Sequence, residues 1–288
     1  MVSKNPNVII IGAGPAGIAC AMQLKRYNIN SLVLEKDKIG GLLKNANLIE
    51  NYPGFPNGIS GDKFVQLLKK QSQSNKLDVK YEIVESVEFL DDTLSVKTNR
   101  EIYHSKYLVI ASGTKPIVPK TPKIPDNIKD KLFFEIYKLG QIKYKNIAII
   151  GAGDCAFDHA LNLGNNNKVI ILNRSNRIKS LPILQDRISK VENIKYFDNT
   201  TVQEIGKIDK QLNLILKNND KSILVDYLLI AIGRKPNLDF INIDLLKNPN
   251  VFQIGDVKNG RFRQTSIAVG DGTFTAMNIN KILNRENL

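Results

Sequence analysis

The chain has no tryptophan, and only two cysteines and two histidines among 288 residues. Two cysteines, Cys20 and Cys155, cannot build the bridged framework of a small secreted domain, so a reducing, cytoplasmic setting is expected. His104 and His159 lie far apart and match no metal-ligand spacing. No metal site is expected, and neither histidine reads as a general base. Long apolar runs are missing too. "NVIIIGAGPAGIAC" starts like one, but three glycines and a proline break it, so neither a signal peptide nor a membrane helix is expected. Acidic residues are few: 28 Asp and Glu stand against 41 Lys and Arg, a formal net charge of +13. The cations are scattered along a chain full of Lys, Asn and Ile, and read as diffuse charge rather than a dedicated site. No arginine-rich run or aromatic-interleaved basic patch marks a nucleic-acid site, so no nucleic-acid partner is expected. A basic surface of this kind suits an acidic protein partner.

What the chain does contain is a repeated plan. "NVIIIGAG" at 7–14 returns as "NIAIIGAG" at 146–153. "SLVLEK" at 31–36 returns loosely as "KVIILNR" at 168–174, and "YLVIASGTKP" at 107–116 as "YLLIAIGRKP" at 227–236. Each copy opens with an apolar run, a glycine turn and a helical pattern ("IACAMQLKRYN", "CAFDHALNLG"), followed by a second apolar run. The continuous Val/Ile/Leu character predicts parallel strands covered on both faces. Alternation in "SVEFLDDTLSVKT" and "LNLILKNNDKSILVDY" predicts an antiparallel hairpin inserted in each copy. The fold class expected is α/β: two Rossmann-like, three-layer ββα nucleotide-binding domains, the second inserted in the first. The expected boundaries are 1–115 with 236–288 for one domain and 116–235 for the other. The last fifty or so residues are too few for a stable domain of their own and are expected to pack back on one copy.

The glycines have chemical work to do. In the first copy Gly12 allows a tight turn, Gly14 lets backbone approach a pyrophosphate, and Gly17 lets helix and strand pack closely. The helix start then offers free N–H groups and a positive dipole end to the phosphates. Glu35, at the end of the second strand, is placed to accept hydrogen bonds from ribose hydroxyls. The second copy has Gly151, Gly153 and Ala156, with Asn173 where the first has Glu35. Arg174, Arg177 and Lys179 follow. A carboxylate would repel a 2′-phosphate and a guanidinium grips one, so this site is expected to prefer NADP to NAD. One site for a flavin and one for a nicotinamide make hydride transfer the natural chemistry.

Taken together, "IGAGPAG", "LEK", "GG" at 40–41, "ENYPGFP" at 50–56, "ASGT" at 111–114, "GAGDCAFDHALNL", "AIGRKPN" at 231–237, "IGDV" at 254–257 and "RQTSIAVGDG" at 263–272 resemble the two-domain thioredoxin reductase-like flavoprotein family, over nearly the whole length. The resemblance implies FAD in the first domain and NADPH in the inserted one. It implies a flavin-side set of Pro15, Ala16, Lys36, Gly41, Asn51, Gly113, Thr114, Asp256, Gln264 and Thr265 beside the glycines and Glu35. It adds Asp154 and Arg234 to the nicotinamide side. The family's redox Cys-x-x-Cys falls just before the second glycine strand. Here that place reads "FEIY", Phe134 to Tyr137, with no sulfur. In this the chain is similar to the thioredoxin reductase-like ferredoxin–NADP reductases. The stretch from Asn237 to Val251 is shorter than the family's.

The function expected is therefore an NADPH-dependent, FAD-containing oxidoreductase, a homodimer. It would pass electrons to an external acceptor such as ferredoxin, flavodoxin or a small molecule. The alternatives are a thiol–disulfide enzyme using an external dithiol and a low-turnover flavin-binding redox sensor. Cys155 reads as a stand-in for serine and Cys20 as core. Tyr52, Phe134 and Tyr137 are candidates to cover a flavin face, and 113–120 and 233–238 are candidate hinges.

Overall fold

The computed structural model describes residues 6–217 and 221–286. By contact the chain divides into two units. The first comprises Met1–Lys44, Glu50–Lys115 and Lys235–Leu288, and the second Asn45–Ile49 and Pro116–Arg234.

The first unit is built on a five-stranded parallel sheet. Its strands are β1 (Val8–Ile11), β2 (Ser31–Glu35), β3 (Asp78–Tyr81), β7 (Tyr107–Ile110) and β18 (Val251–Gln253), in the order β18-β7-β1-β2-β3. All four residues of β1 are buried because both faces of the sheet are covered. Side chains alternate across the pleat, so Ile9 and Ile11 share one face with Leu32, Leu34, Leu108 and Ile110. That face packs on Val87, Leu94, Val96 and Tyr103 of an antiparallel meander, β4 (Val84–Leu90), β5 (Thr93–Thr98) and β6 (Ile102–Ser105). The expected hairpin is thus three strands rather than two, because a third strand completes the cover of the sheet face. Buried Glu82 ties the meander down, accepting hydrogen bonds from Thr98 Oγ1 at 2.7 Å and the Tyr103 hydroxyl at 2.9 Å. Burial pushes the Tyr103 phenol up to about 12. Leu238, Phe240, Ile241, Leu245 and Leu246 pack against the same core. The short stretch after Asn237 therefore belongs to the first unit, as does the rest of the C-terminal segment.

The opposite layer holds the helices. α1 (Pro15–Arg26) buries Ile18, Ala19, Cys20, Ala21 and Leu24. It crosses α5 (Thr265–Glu286) at Gly272, where an added Cβ would lie 2.2 Å from the Ala16 carbonyl oxygen. The close crossing therefore depends on glycine. A further helix, α2 (Gly61–Ser74), completes the unit.

The second unit repeats the plan. Its parallel sheet has the order β12-β11-β10-β16-β9. The strands are β9 (Leu132–Phe133), β10 (Asn146–Ile150), β11 (Lys168–Leu172), β12 (Ile194–Phe197) and β16 (Tyr227–Ile230). One face carries Ala148, Leu172, Leu228 and Ile230 onto Val202, Ile205, Leu212, Leu214 and Val225 of a second meander. That meander is β13 (Val202–Ile208), β14 (Gln211–Leu216) and β15 (Ser222–Val225). The turn at 218–220, inside the expected hairpin, lies outside the described residues. Leu212 and Leu214 are fully buried, each contributing about 1.5–3 kcal/mol relative to exposure. The other face packs Ile147, Ile149, Val169 and Ile171 on Ala156, Phe157, Ala160 and Leu163 of α3 (Asp154–Gly164), with α4 (Pro182–Ser189) alongside.

The repetition extends to single bonds. Gly12 N–H donates to the Leu34 carbonyl at 2.8 Å, and Gly151 N–H to the Leu172 carbonyl at 3.1 Å. Ala111 N–H meets the Ile11 carbonyl and Ala231 N–H the Ile150 carbonyl, both at 2.8 Å. Only the fifth strand differs in origin. In the first unit it is β18, near the C-terminus; in the second it is β9, ahead of the glycine strand. The two crossing segments pair as β8 (Thr114–Pro116) with β17 (Arg234–Pro236). These lie inside the stretches expected to act as hinges.

Candidate cofactor sites

In the first unit the chain leaves β1 through Gly12, whose φ of 109° is open to glycine but strained for other residues. A Cβ there would lie 2.4 Å from the Ala111 carbonyl oxygen, and one at Gly17 would lie 1.9 Å from the Gly12 carbonyl oxygen. These two glycines let the turn exist. Gly14 differs: a Cβ there would meet only Gly41 Cα, at 4.0 Å. The two backbones approach closely, since a Cβ on Gly41 would lie 3.2 Å from Gly14 Cα, and neither glycine puts a side chain beside the start of α1. Pro15, Ala16 and Gly17 form the first turn of α1, which has no side-chain cap and no acid, so its leading N–H groups are available to an anion.

Three separate motifs meet at Ala13. Its N–H donates to Glu35 Oε2 at 2.7 Å, and its carbonyl accepts from Gly40 N–H at 2.9 Å. Glu35 Oε1 accepts from Asp37 N–H at 2.9 Å, so the buried carboxylate is held in one orientation with acceptor capacity left over. Lys36 beside it is exposed. Asn51 Nδ2 donates to Gln264 Oε1 at 2.9 Å, which joins two expected flavin-side residues from opposite ends of the chain. Thr265 opens α5 directly after Gln264. Thr114 is buried in β8 next to Gly113, whose φ is 64°. Asp256 lies half-buried in a short 3-10 turn, Gly255–Val257, anchored by Gly255 N–H to Asp271 Oδ2 at 2.9 Å. The glycine turn free of side chains, the uncapped helix start and the fixed carboxylate all fit a dinucleotide such as FAD.

In the second unit Gly151 takes a φ of 131°, and a Cβ there would lie 2.3 Å from the Ala231 carbonyl oxygen. Gly153 faces open space. α3 starts without a side-chain cap at Gly153, and Ala156 is fully buried in its first turn. Asp154 Oδ1 accepts from Leu181 N–H at 2.8 Å, so this acid braces the loop ahead of α4. Asn173, expected to face the nucleotide, is buried and engaged within its own loop. Its Nδ2 donates to the Arg177 carbonyl at 3.1 Å and to the Tyr196 hydroxyl at 2.9 Å. Lys179 N–H closes the loop on the Ala152 carbonyl at 3.0 Å. The result is a short loop presenting Arg174, Arg177 and Lys179 to solvent.

Arg234 was expected beside the nicotinamide. Its Nη1 donates to Glu135 Oε1 at 2.7 Å, with both side chains less than one-fifth exposed. Glu135 Oε2 also accepts from Asn45 Nδ2, and Asn45 Oδ1 from Tyr137 N–H at 3.3 Å. In the sequence Glu135 was only the middle of "FEIY", and nothing local marks it as the partner of Arg234. Phe134 packs on the sheet–meander core of the second unit. Tyr137 sits in a 3-10 turn, Ile136–Leu139. Tyr52, in the first unit, stacks in an aromatic cluster, its ring 4.9 Å from Phe64 and 6.0 Å from Phe55.

Cys20 is buried, and burial pushes its thiol up to about 12. Cys155 is exposed as a residue. Desolvation of the sulfur raises its pKa, and Arg234 opposes the shift. Neither thiol is activated. His159, behind it on α3, is buried with Nδ1 unpartnered; burial, and then Arg234, hold it down to about 4. No sequence pattern marks Asp158, which lies on α3. It accepts from Asn47 N–H at 2.8 Å, and burial raises it to about 6. Among the described residues no group of three side chains could hold a metal ion, and no helix is long and apolar enough to cross a membrane.

A duplicated strand–glycine turn–helix unit, each copy with an uncapped helix start, is consistent with a protein of two nucleotide-binding domains. Residues 6–272 match the pyridine nucleotide-disulphide oxidoreductase family, and the chain belongs to it. It is 28% identical over 299 residues to the thioredoxin reductase of Borreliella burgdorferi, covering 96% of this chain and 92% of that one. It is 27% identical to a 34.2 kDa protein in the rubredoxin operon of Clostridium pasteurianum, covering 97% and 98%. Among solved structures, the thioredoxin reductase of Lactococcus lactis superposes with a TM-score of 0.87 at 26% identity, covering 98% of this chain and 100% of that one. The protein is an FAD- and NAD(P)H-dependent oxidoreductase of the thioredoxin reductase family without a Cys-x-x-Cys motif.

Proposed function

We propose that the first unit holds FAD, the second holds NADPH, and electrons leave to an external carrier rather than to a disulfide of this chain. The observation that carries this reading is the pairing of complete glycine-turn sites with "FEIY" at the family's cysteine position. When bound, the flavin supplies the step from two-electron hydride chemistry to one-electron transfer. One NADPH then reduces two one-electron carriers and releases one proton. A small acidic carrier of the ferredoxin or flavodoxin kind suits a chain of net charge +13. The preference for NADP rests on the exposed Arg174, Arg177 and Lys179, with no acid between 173 and 179. Glu35, by contrast, holds a ribose in the first unit. Exposed Ile267, Phe274 and Met277 form one stripe along α5 and support a homodimer. Two unbridged cysteines, one buried and neither activated, support a reducing cytoplasm.

The test is NADPH oxidation by the flavin-loaded enzyme against ferredoxin, flavodoxin, an external protein disulfide and neutral menadione. Turnover with a one-electron carrier supports the reading. Turnover with the disulfide alone points to a thiol–disulfide enzyme using an external dithiol. Turnover with none points to a redox sensor.

A further inference from the structure

The loop between Val257 and α5 projects a phenylalanine into solvent. Phe262 is 70% exposed, in a stretch reading "KNGRFRQ" from 258 to 264. A single exposed apolar side chain is ordinary on a protein surface; what sets this one apart is how it is held and which residues flank it. The loop is also rigid. Lys258 and Asn259 N–H groups both donate to the Gly255 carbonyl, at 3.0 and 3.2 Å. Asn259 Nδ2 bonds Asp271 Oδ2 at 2.6 Å, and Phe262 N–H bonds the Asn259 carbonyl at 2.8 Å. Gly260 takes the positive φ of 57° that the turn requires. The phenylalanine is therefore held out by the backbone rather than left there by a loose chain.

Its neighbours along the chain carry one sign of charge. Between Val257 and Gly270 there are three cations, Lys258, Arg261 and Arg263, and no acid. Lys258 and Arg261 are exposed. Asp271, just beyond, is engaged with Gly255 and Asn259. Directly after Phe262 and Arg263 comes Gln264, bonded to Asn51. An exposed aromatic flanked in sequence by arginines is a residue set enriched at protein interfaces.

We propose that Phe262, with Lys258 and Arg261, is the docking point for the acidic electron carrier. This rests on the carrier reading above. A second copy is a poorer occupant, because two-fold pairing of this tip would set Lys258 and Arg261 against like charges. A nucleic acid is poorer as well, since one aromatic residue offers no run of stacking platforms.

The experiment uses flavin-loaded enzyme and NADPH, with a purified [2Fe–2S] ferredoxin and a flavodoxin as acidic carriers and menadione as a neutral small acceptor. Phe262→Ala and Arg261→Glu should each raise the carrier KM at least fivefold. Menadione reduction should stay within twofold of wild type. The wild-type carrier KM should rise with salt, and Arg261→Glu should flatten that dependence. Unchanged carrier KM in both variants overturns the docking point, as does a parallel loss of menadione turnover. So does a wild-type dimer that Phe262→Ala turns into a monomer, which would make the tip a contact between copies. A wild type that uses menadione but neither carrier has a different signature and overturns the carrier reading itself.

Discussion

Gly151 and Gly153 belong to one motif and should fail in opposite ways. Gly151 has a φ of 131°, and a Cβ there would lie 2.3 Å from the Ala231 carbonyl oxygen and 2.8 Å from its carbon. Both contacts are with backbone, so no side chain can swing aside. The strained φ costs about 1–3 kcal/mol, and overpacking against fixed neighbours adds about 1–3 kcal/mol. Gly151→Ala should therefore lose about 2–6 kcal/mol, a large part of what holds a domain folded. Gly153 has φ −97° and ψ 179°, extended geometry open to any residue. A Cβ there meets nothing within 4 Å. Gly153→Ala should leave the fold intact and place a methyl where the phosphates approach the start of α3. A tenfold loss of NADP⁺ affinity, about 1.4 kcal/mol, is the minimum expected. Thermal unfolding of the apoprotein by circular dichroism reads the first effect, and calorimetric titration with NADP⁺ reads the second. The division of labour is refuted if Gly153→Ala destabilises as much as Gly151→Ala, or if it keeps wild-type nucleotide affinity.

Three further outcomes are expected. Arg174→Ala should narrow the advantage of NADPH over NADH in stopped-flow flavin reduction; equal preference in the wild type would remove the basis for it. Glu135→Gln leaves Arg234 half its partner in a mostly buried place and should lower the midpoint of the second unit's unfolding by the equivalent of about 1–3 kcal/mol, with an unchanged midpoint contradicting it. His159, held neutral down to about 4 from 6.5, lets the unfolded chain take up a proton that the fold refuses. Its contribution is therefore full above pH 6.5 and lost as pH falls from 6.5 toward 4, about 2–3 kcal/mol by pH 4.5. Asp158, raised to about 6, acts in the opposite sense, favouring the fold as pH drops from about 6 toward 4. Removing the imidazole in His159→Gln should make the protein gain stability relative to wild type between pH 6.5 and 4.5, read by differential scanning calorimetry; a constant difference would show that the imidazole is not held neutral.

Much of the fold was legible because its causes are local. Unbroken runs such as "VIII" and "KVIIL" need cover on both faces, which parallel sheets between two layers provide. Glycine turns declare themselves because a φ of 109° or 131° packed against a neighbouring backbone carbonyl, as at Gly12 and Gly151, admits only glycine. The missing Cys-x-x-Cys is a matter of composition alone, and no folding could restore it. The length of the meanders was less legible, since one alternating pattern serves two strands or three.

What the tertiary structure decided involves partners far apart in sequence. Arg234 meets Glu135 across 99 positions, and Gln264 meets Asn51 across 213. No local pattern marks either pair, because a hydrogen bond depends on where two strand ends are carried, not on their neighbours. Asn173 occupied the right place in the repeat, yet its amide turned inward, since the Tyr196 hydroxyl and the Arg177 carbonyl satisfy a buried polar group that solvent cannot reach. The fifth strand of each sheet came from opposite ends of its unit, β18 in one and β9 in the other. A sheet edge accepts whichever strand completes its hydrogen bonds, and the fold of the whole chain determines which one arrives there.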